Sequence, residues 1–258
     1  MEKLTLLKIL MEFNLLFLIT VVPAILLFGI SKAGLGGSVA LISIPLMTVV
    51  MPFTEALAIT LPILILADLV AVYKFRKEYD LDTLKLISLG AFVGIIIGAL
   101  TFKFFSEDVL KLIVGLMGFS FTFHYFFLKK NKYTAIAKSK LKGGFFSIIS
   151  GFTSFCVHSG GTPLSVYLLP LRIEKAKYVG TRVLYFTFVN LVKLPIYIYL
   201  SIINIENLKL SFYLMPLVVI GFFIGYQLVK IIEEKLFYNI IYVLIFVSSS
   251  KLIFDFFN

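Results

Sequence analysis

The sequence predicts an all-α integral membrane protein of two tandem repeats, each with four long transmembrane helices and one half-length segment broken by glycine. Composition, the lengths of the apolar runs and an internal repeat lead to this fold class. The chain has 258 residues, 60% of them apolar and 15% charged, whereas soluble domains average about 45–50% and about 25%. One soluble core of this size cannot bury so much apolar surface, so lipid must solvate most of it. A water-soluble enzyme domain, a disordered chain and a secreted disulfide scaffold are therefore excluded.

Apolar runs that can cross a membrane recur along the chain. A transmembrane helix needs about 20 mostly apolar residues, and the candidate spans are 13–31, 54–73, 84–105, 108–128, 143–158, 179–203, 210–229 and 236–256. Two shorter runs, 39–51 and 164–171, follow the glycine pairs at 36–37 and 160–161. No run alternates like a membrane barrel strand. We predict eight helical spans and two half-length helices.

One pattern occurs twice, with an offset of 119 to 127 residues. A glycine pair, a hydroxyl residue and a short run with proline occupy 36–45 and again 160–170. Further matched pairs are Glu55 with Glu174, Thr60 with Thr181, Asp82 with Glu206, Gly94 with Gly221, Gly98 with Gly225, and Glu107 with Glu234. Duplicated halves are common in transporters. We expect a first repeat at 1–128, a basic cytoplasmic linker at 129–142 and a second repeat at 143–258.

The positions of Lys and Arg predict that the repeats are inverted relative to each other. Suppose that each half-length segment returns to the side it left and that the N-terminus is external. More basic residues are then cytoplasmic than with eight simple spans, as the positive-inside rule favours. The basic cluster at 172–182 also moves to the cytoplasm. Each repeat has five elements, an odd number, so the second repeat has the opposite orientation.

The net charge of +10 indicates orientation in the membrane rather than nucleic-acid binding, because the basic residues lie between apolar runs. The linker 129–142 has six lysines and no acid. It either binds lipid headgroups or a partner, or it only sets topology. Cys156 is the single cysteine, so an internal disulfide is excluded. We expect a protein of the prokaryotic cytoplasmic membrane with lipid and a small solute as partners, and we leave a homo-oligomer open.

The glycine pairs predict a helix break inside the membrane in each repeat. Gly34, Gly36 and Gly37 end the first helix, and Ser38 can cap the short helix that follows. At the second break Thr162 can cap a short helix that Pro163 begins. Irregular backbone survives in lipid only where protein or a water-filled cavity satisfies its polar groups.

Two helix N-termini that meet inside the membrane predict an anion site. Each N-terminus has unpaired N–H groups and about half a positive charge, and the two begin after Gly37 and after the pair Gly160-Gly161. The alternative is that the glycines only allow close helix packing. Close packing is the role that we assign to the other spaced glycines: Gly90, Gly94, Gly98, Gly221 and Gly225.

Polar side chains inside the spans are further candidates, because each is costly in hydrocarbon. Lys32, at the first break, either complements an anion or extends to the nearer interface. His158 and Ser159 precede the second glycine pair. The histidine could donate a hydrogen bond to the solute or titrate near neutral pH, or its hydrogen bonds could be purely structural. Asn190 either donates to an oxyanion or bonds between helices.

Three charged residues, Asp68, Arg182 and Lys193, are candidates for coupling or gating. Asp68 is the carboxylate well inside a span, and it either carries a coupling proton or pairs with Lys32 or Lys193. Arg182 either binds anions or belongs to the cluster at 172–177 that sets topology. The coupling ion, a proton or sodium, stays open.

Sequence motifs of enzymes are missing. The chain has no His-Glu-x-x-His helix, no Cys/His cluster with metal spacing and no P-loop or nucleotide fingerprint. A single intramembrane carboxylate leaves no pair for an aspartyl protease. We expect neither enzyme activity nor a cofactor or metal.

A family resemblance rests on four parts of the chain. They are the segment Lys32-Ala-Gly-Leu-Gly-Gly-Ser-Val-Ala-Leu-Ile-Ser-Ile-Pro45, the Ala- and Thr-rich helix 55–73, the helix with Gly94 and Gly98, and a second copy from Gly143 onward. In this order of elements the sequence resembles the TauE/SafE family of sulfite and organosulfonate exporters and permeases.

The resemblance implies a permease that moves small sulfur-containing anions, such as sulfite, sulfonates or thiosulfate, by ion-coupled secondary transport. The family's glycine-rich motif maps onto Gly34, Gly36, Gly37 and Pro45, and onto Gly160, Gly161 and Pro170. His158 and Ser159 stand where glycine is usual in the family. Two rival functions stay open, namely a permease for another solute and a membrane assembly or accessory protein that transports nothing.

Overall fold

The structure, a computed structural model, describes residues 15–35, 40, 42–128 and 135–257. Every regular element within these residues is helical. The α-helices are α1 (Leu15–Ile30), α2 (Ser43–Thr48), α3 (Phe53–Phe75), α4 (Leu81–Thr101), α5 (Glu107–Phe123), α6 (Lys140–Val157), α7 (Gly161–Leu168), α8 (Lys175–Tyr199), α9 (Ile205–Ile231) and α10 (Glu234–Phe257). A π-helical turn, Ser31–Leu35, extends α1.

Within the described ranges, 7 helices are long and apolar enough to cross a membrane: α1 with its π-helical turn, α3, α4, α5, α8, α9 and α10. The predicted class, an all-helical multi-pass membrane protein, is confirmed. The one predicted span that is missing from these seven helices is 143–158, which forms α6. The sequence of α6 explains the difference, because Lys140 and Lys142 open the helix and hydroxyl residues such as Ser150 and Ser154 interrupt its apolar run.

The outer surface of the bundle is apolar, as lipid contact requires. Large side chains such as Leu100, Phe212 and Tyr199 lie mostly exposed on it. In water an apolar surface of this extent would be an aggregation hazard. The exposed side chains therefore mark the face that membrane lipid covers.

Side-chain caps determine where several long helices begin. Asp80 accepts a hydrogen bond from the N–H of Thr83 at 3.1 Å at the start of α4. Asn204 accepts from the N–H of Asn207 at 2.8 Å at the start of α9. Each cap satisfies an N–H group that has no partner inside its helix, so both helices begin at defined residues.

Two helix crossings, α1 on α9 and α4 on α6, are held at close range by glycine. A Cβ atom placed on Gly94 would lie 2.0 Å from the carbonyl oxygen of Ile148, and one on Gly221 would lie 2.3 Å from that of Leu26. Only glycine fits at such distances, because real Cβ contacts are much longer. The packing role predicted for the spaced glycines is confirmed, because a Cβ placed on Gly90, Gly98 or Gly225 would also lie close to atoms of a neighbouring helix.

Helices α6 and α7 form a hairpin that returns to the face of the bundle where it began. The N–H of Ile136, just before α6, donates to the carbonyl oxygen of Pro170, just after α7, at 2.9 Å. On the same face Lys138 pairs with Asp80, which lies in the loop between α3 and α4. The backbone N–H of Asp80 also donates to the hydroxyl of Thr181 in α8. The half-length segment α7 therefore runs back toward the face where α6 begins.

Candidate functional site

A cavity lies between the two chain breaks, at the centre of the bundle. Gly34 of the first break and Gly161 of the second both line it, together with side chains of α1, α3, α6 and α8. Its polar lining residues are Ser31, Lys32, Ser154, His158, Arg182 and Asn190. About 50 Å³ is open to the centres of water-sized molecules. A single water needs roughly 10–15 Å³ by the same measure, so the cavity can hold a few waters or one small ion.

The first break positions Lys32 on the cavity wall. Gly34 has φ 124° and ψ −10°, a backbone conformation that glycine adopts without strain and other residues rarely do. The π-helical turn Ser31–Leu35 ends at this break, and it turns Lys32 toward α3 and α8. Of the other residues predicted at the first break, Gly36, Gly37 and Ser38 lie outside the described residues.

The second break differs in detail from the prediction. His158 ends α6 in the left-handed conformation, with φ 52°, and α7 begins at Gly161 after the N-cap residue Gly160, with no side-chain cap. The predicted cap at Thr162 is therefore wrong: its buried Oγ1 has no hydrogen-bond partner. Pro163 is the third residue of α7 and not the first, because the helix starts two residues earlier than predicted.

The side chain of Thr162 does not cap α7 because it packs toward α5. The Cγ2 atom of Thr162 lies 2.8 Å from a Cβ placed on Gly118, so this side chain packs toward α5. Ser159 is also turned away from a solute, since its hydroxyl donates to the carbonyl oxygen of Val157 at 3.1 Å. Gly161, the first residue of α7, lines the cavity, and amide groups at the start of a helix have no intrahelical acceptor.

Lys32, Asp68 and Asn190 form one buried cluster across three elements. The Lys32 Nζ lies 2.5 Å from Oδ1 of Asp68, and Asn190 Nδ2 donates to Oδ2 at 2.6 Å. The side chain of Asp68 is 1% exposed and that of Lys32 is 11% exposed. Of the alternatives for Asp68, pairing with Lys32 is present in the structure. Lys32 and Asn190 also line the cavity, so a solute can reach both.

Arg182 also lines the cavity and is 4% exposed. Its Nη1 atom donates to Ser165 Oγ at 2.7 Å and to the Tyr178 hydroxyl at 3.0 Å. Its guanidinium also lies 5.6 Å from the centre of the Phe186 ring. All of these partners are neutral, and in the described part of the chain no carboxylate pairs with Arg182. Its Nε and Nη2 groups remain as donors for a ligand.

Lys193, behind the cavity wall, and His158, which lines the cavity, form a second buried pair. The Nζ atom of Lys193 contacts the carbonyl oxygen of Ser154 at 3.0 Å and Nδ1 of His158 at 2.8 Å. The other ring nitrogen, Nε2, lies 3.2 Å from the carbonyl oxygen of Leu57. Because lysine can only donate, Nδ1 accepts and Nε2 carries the hydrogen. Both ring nitrogens are engaged, so His158 can bind a solute only by giving up one of these bonds.

The structure thus brings most of the described candidate residues to one place. Lys32, Gly34, His158, Gly161, Arg182 and Asn190 line the cavity. Asp68 and Lys193 lie directly behind it, whereas Thr162 faces away. Sequence analysis missed Ser165 and Tyr178, which orient Arg182; Tyr178 is four residues earlier on α8, a spacing that places both on one helix face.

A second cavity adjoins the central one, on the face that holds the loop between α3 and α4. Val179 lines both cavities, and the outer one is bounded further by Phe75, Lys175 and Val229. A Cβ placed on Gly34 would lie 2.9 Å from Val179 and 3.5 Å from Val229. The Gly34–Val179–Val229 contact is therefore a narrow point between the two cavities.

Seven helices that are long and apolar enough to span a membrane describe a multi-pass membrane protein, and Lys32 and Arg182 line a buried cavity within it. A model of the family described as sulfite exporter TauE/SafE matches residues 21–252, so the chain belongs to this family. No curated protein and no solved structure matches the chain. The family is one of transporters, which indicates a membrane exporter or permease with a small anionic solute, sulfite or a related sulfur anion.

Proposed function

We propose that the protein is a secondary transporter that binds one small sulfur-containing oxyanion in the central cavity. The observation that carries this proposal is Arg182, a buried guanidinium with only neutral partners among the described residues. Moving a charge out of water costs several kcal/mol unless it is paired or well hydrogen-bonded. Two hydroxyl groups and two aromatic rings, those of Tyr178 and Phe186, compensate only in part. An oxyanion between Arg182 and Lys32 would complete the compensation.

The chemistry of the wall supports an oxyanion rather than a metal cation. Arginine presents planar pairs of N–H donors that match two oxygens of a carboxylate, phosphate or sulfonate-type group. Lys32 and the amides at the start of α7 add donors with positive charge. In the described ranges no three His, Cys, Asp or Glu residues are grouped as a metal site.

The helix contacts support two inverted repeats as the framework of transport. The first proposed repeat comprises α1 to α5 and the second α6 to α10. The first helix of each repeat packs on the fourth helix of the other repeat: α1 on α9, and α6 on α4. The third helices, α3 and α8, pack on each other. This reciprocal exchange is what a two-fold axis in the membrane plane produces. Rocking of one repeat against the other would then open the cavity alternately to each side.

The face that holds Lys138, Arg172 and Lys175 is proposed to be cytoplasmic. Hydrogen bonds join its loops, so the basic segments near 76, 138 and 172 lie together, as the positive-inside rule favours for a cytoplasmic side. The outer cavity opens on this face. A prokaryotic cytoplasmic membrane is the location that we infer.

A binding screen on purified protein tests the proposal. Thermal unfolding in detergent is recorded with sulfite, sulfate, thiosulfate, methanesulfonate and taurine, and with sodium chloride at matched ionic strength as the control. We expect at least one sulfur oxyanion to raise the unfolding temperature, because a ligand that binds only the folded state stabilises it. Stabilisation by a cation or neutral solute alone would favour a permease for another solute. No response to any solute would favour the accessory protein.

A further inference from the structure

An anion in the cavity and the buried carboxylate of Asp68 would compete for the same ammonium group, that of Lys32. Lys32 lines the cavity, and its Nζ atom is at the same time 2.5 Å from Oδ1 of Asp68. Asp68, with 1% of its side chain exposed, lies behind Lys32 on α3. An anion in the cavity would therefore be attracted by Lys32 and repelled by Asp68, so the state of Asp68 controls how much of the lysine charge a solute can use.

Nitrogen donors occupy both oxygens of Asp68. Lys32 donates to Oδ1 and Asn190 to Oδ2, and Lys193 of α8 is a further cation near it. Behind Lys193 lies His158, which bonds to that lysine. Sodium would need several oxygen ligands, as other hard cations do, and N–H groups that point at the carboxylate exclude it.

Among the described residues, the remaining elements against α3 add no charge near Asp68, and α1 has no charged residue. Helix α2 has no charged residue, and α9 has Glu206 in its first turn and Lys230 in its last. The third charged residue of α9, Lys209, is an exposed partner of Glu206. A proton is therefore the ion that can neutralise Asp68 in place.

We propose that Asp68 is the proton-binding group of the transport cycle and takes up one proton when an anion binds to Lys32. The inference rests on the proposed function. A proton from water forms an O–H bond on the Asp68 carboxylate, the Lys32–Asp68 ion pair breaks, and the lysine ammonium pairs with the anion. On release the steps reverse, and no other bond changes. Empty and loaded protein both keep the Lys32 charge compensated, which makes the transport an anion–proton symport.

Linkage gives the sign and size of the effect. If protonation of Asp68 strengthens anion binding, anion binding must strengthen proton uptake by the same factor. One linked proton makes the anion affinity rise by up to about tenfold for each unit of pH decrease. Asp68→Asn keeps the shape of the side chain and removes its charge, so it should bind the anion with the affinity that the native protein reaches at low pH, and without pH dependence.

The experiment measures anion binding by calorimetry on the full-length protein from about pH 5 to about pH 8. Thiosulfate and methanesulfonate are the probes, because neither changes its own charge in this range, whereas sulfite does. The matched control is Glu206→Gln, which removes an exposed carboxylate that pairs with Lys209, and we expect it to keep the native pH dependence. A native affinity that does not change with pH, or a steep pH dependence in Asp68→Asn, overturns the inference.

A second measurement needs no variant. Native protein in proteoliposomes that contain a pH-sensitive dye is given an inward thiosulfate or methanesulfonate gradient, and the symport predicts acidification of the lumen. Transport without a change in internal pH overturns the inference but leaves the anion transporter intact. If native protein neither binds nor transports any sulfur oxyanion at any pH, the proposed function itself is wrong.

Discussion

Asn190 donates its Nδ2 hydrogen to Oδ2 of Asp68 at 2.6 Å, across a sequence separation of 122 residues. This separation falls within the offset of 119 to 127 that relates the two halves of the sequence. The two residues therefore occupy corresponding positions in the proposed repeats, on α3 and α8, which pack against each other. Their hydrogen bond marks the proposed two-fold axis. The duplicated position has an acid in one repeat and its amide in the other, so a single carboxylate serves the site.

Adding one methyl group at the α4–α6 crossing should destabilise the protein. In Gly94→Ala the new Cβ would lie 2.0 Å from the carbonyl oxygen of Ile148, so the two helices must separate. We expect a loss of about 1–3 kcal/mol in the free energy of unfolding, measured as a lower unfolding temperature in detergent. The control is Gly144→Ala in α6, where no atom lies within 4 Å of the added Cβ. This variant should be as stable as the native protein or more so, since alanine favours the helix. Equal unfolding temperatures for the two variants would contradict the packing role.

A bulky side chain at the narrow point between the two cavities should block transport. Val179 lines both cavities, and Val179→Trp would fill the contact with Gly34 and Val229. We expect anion uptake into proteoliposomes to fall by about tenfold or more, because the path that we propose for the solute leads through this point. Val243→Trp, on the exposed surface of α10, is the matched control and should transport at the native rate. Native uptake by a correctly inserted Val179→Trp protein would remove this path.

The cap of α4 predicts how stability depends on pH. Partial burial raises the pKa of Asp80, but the hydrogen bonds from Lys138 and Thr83 and the lysine charge outweigh it, so the pKa is below its usual value. An acid whose pKa is lowered in the folded state stabilises that state above its ordinary pKa of about 3.9. The stabilisation is lost as the pH falls through the lower, folded-state pKa.

Asp80→Asn keeps a capping side chain and abolishes this titration. We expect its unfolding temperature to be lower than that of the native protein at neutral pH, and the difference to shrink as the pH is lowered toward 3. Lys138→Gln should shift the Asp80 pKa upward toward its usual value, because the main partner of the carboxylate is removed. A difference between Asp80→Asn and native protein that stays constant down to acidic pH would show that the ion pair contributes no pH-dependent stability.

The parts of the fold that depend on local spacing could be predicted from the sequence. Apolar run lengths predict the seven spans, and glycines spaced by four predict the close crossing at Gly94. The predicted span 143–158 is confirmed as a helix, but α6 is not among the seven that are apolar enough to cross a membrane, because hydroxyl residues and two lysines lower its hydropathy. Gly34 also interrupts the first helix as predicted, since its backbone conformation strongly favours glycine.

The site was predicted less completely, because it depends on which faces of different helices meet. Arg182 follows the basic cluster at 172–177 in sequence, so two functions were open for it. In the structure it lies seven residues into α8, about 10 Å deeper at 1.5 Å per residue, and it faces the cavity. Its contact with Ser165 crosses between two elements, and no sequence spacing reveals that. The cap at Thr162 was wrong because α7 begins at Gly161.

The most direct test of the account is anion transport by Arg182→Gln. The substitution keeps a polar side chain next to Ser165 and Tyr178 but removes the charge that faces the cavity, and Arg76→Gln, at an exposed arginine after α3, is its control. Hydrogen bonds to a charged group contribute about 1.5–3 kcal/mol, so thiosulfate uptake into proteoliposomes should fall by roughly 10- to 100-fold in Arg182→Gln and stay at the native level in Arg76→Gln. Native affinity and native uptake in Arg182→Gln would contradict the claim that the cavity is an anion site.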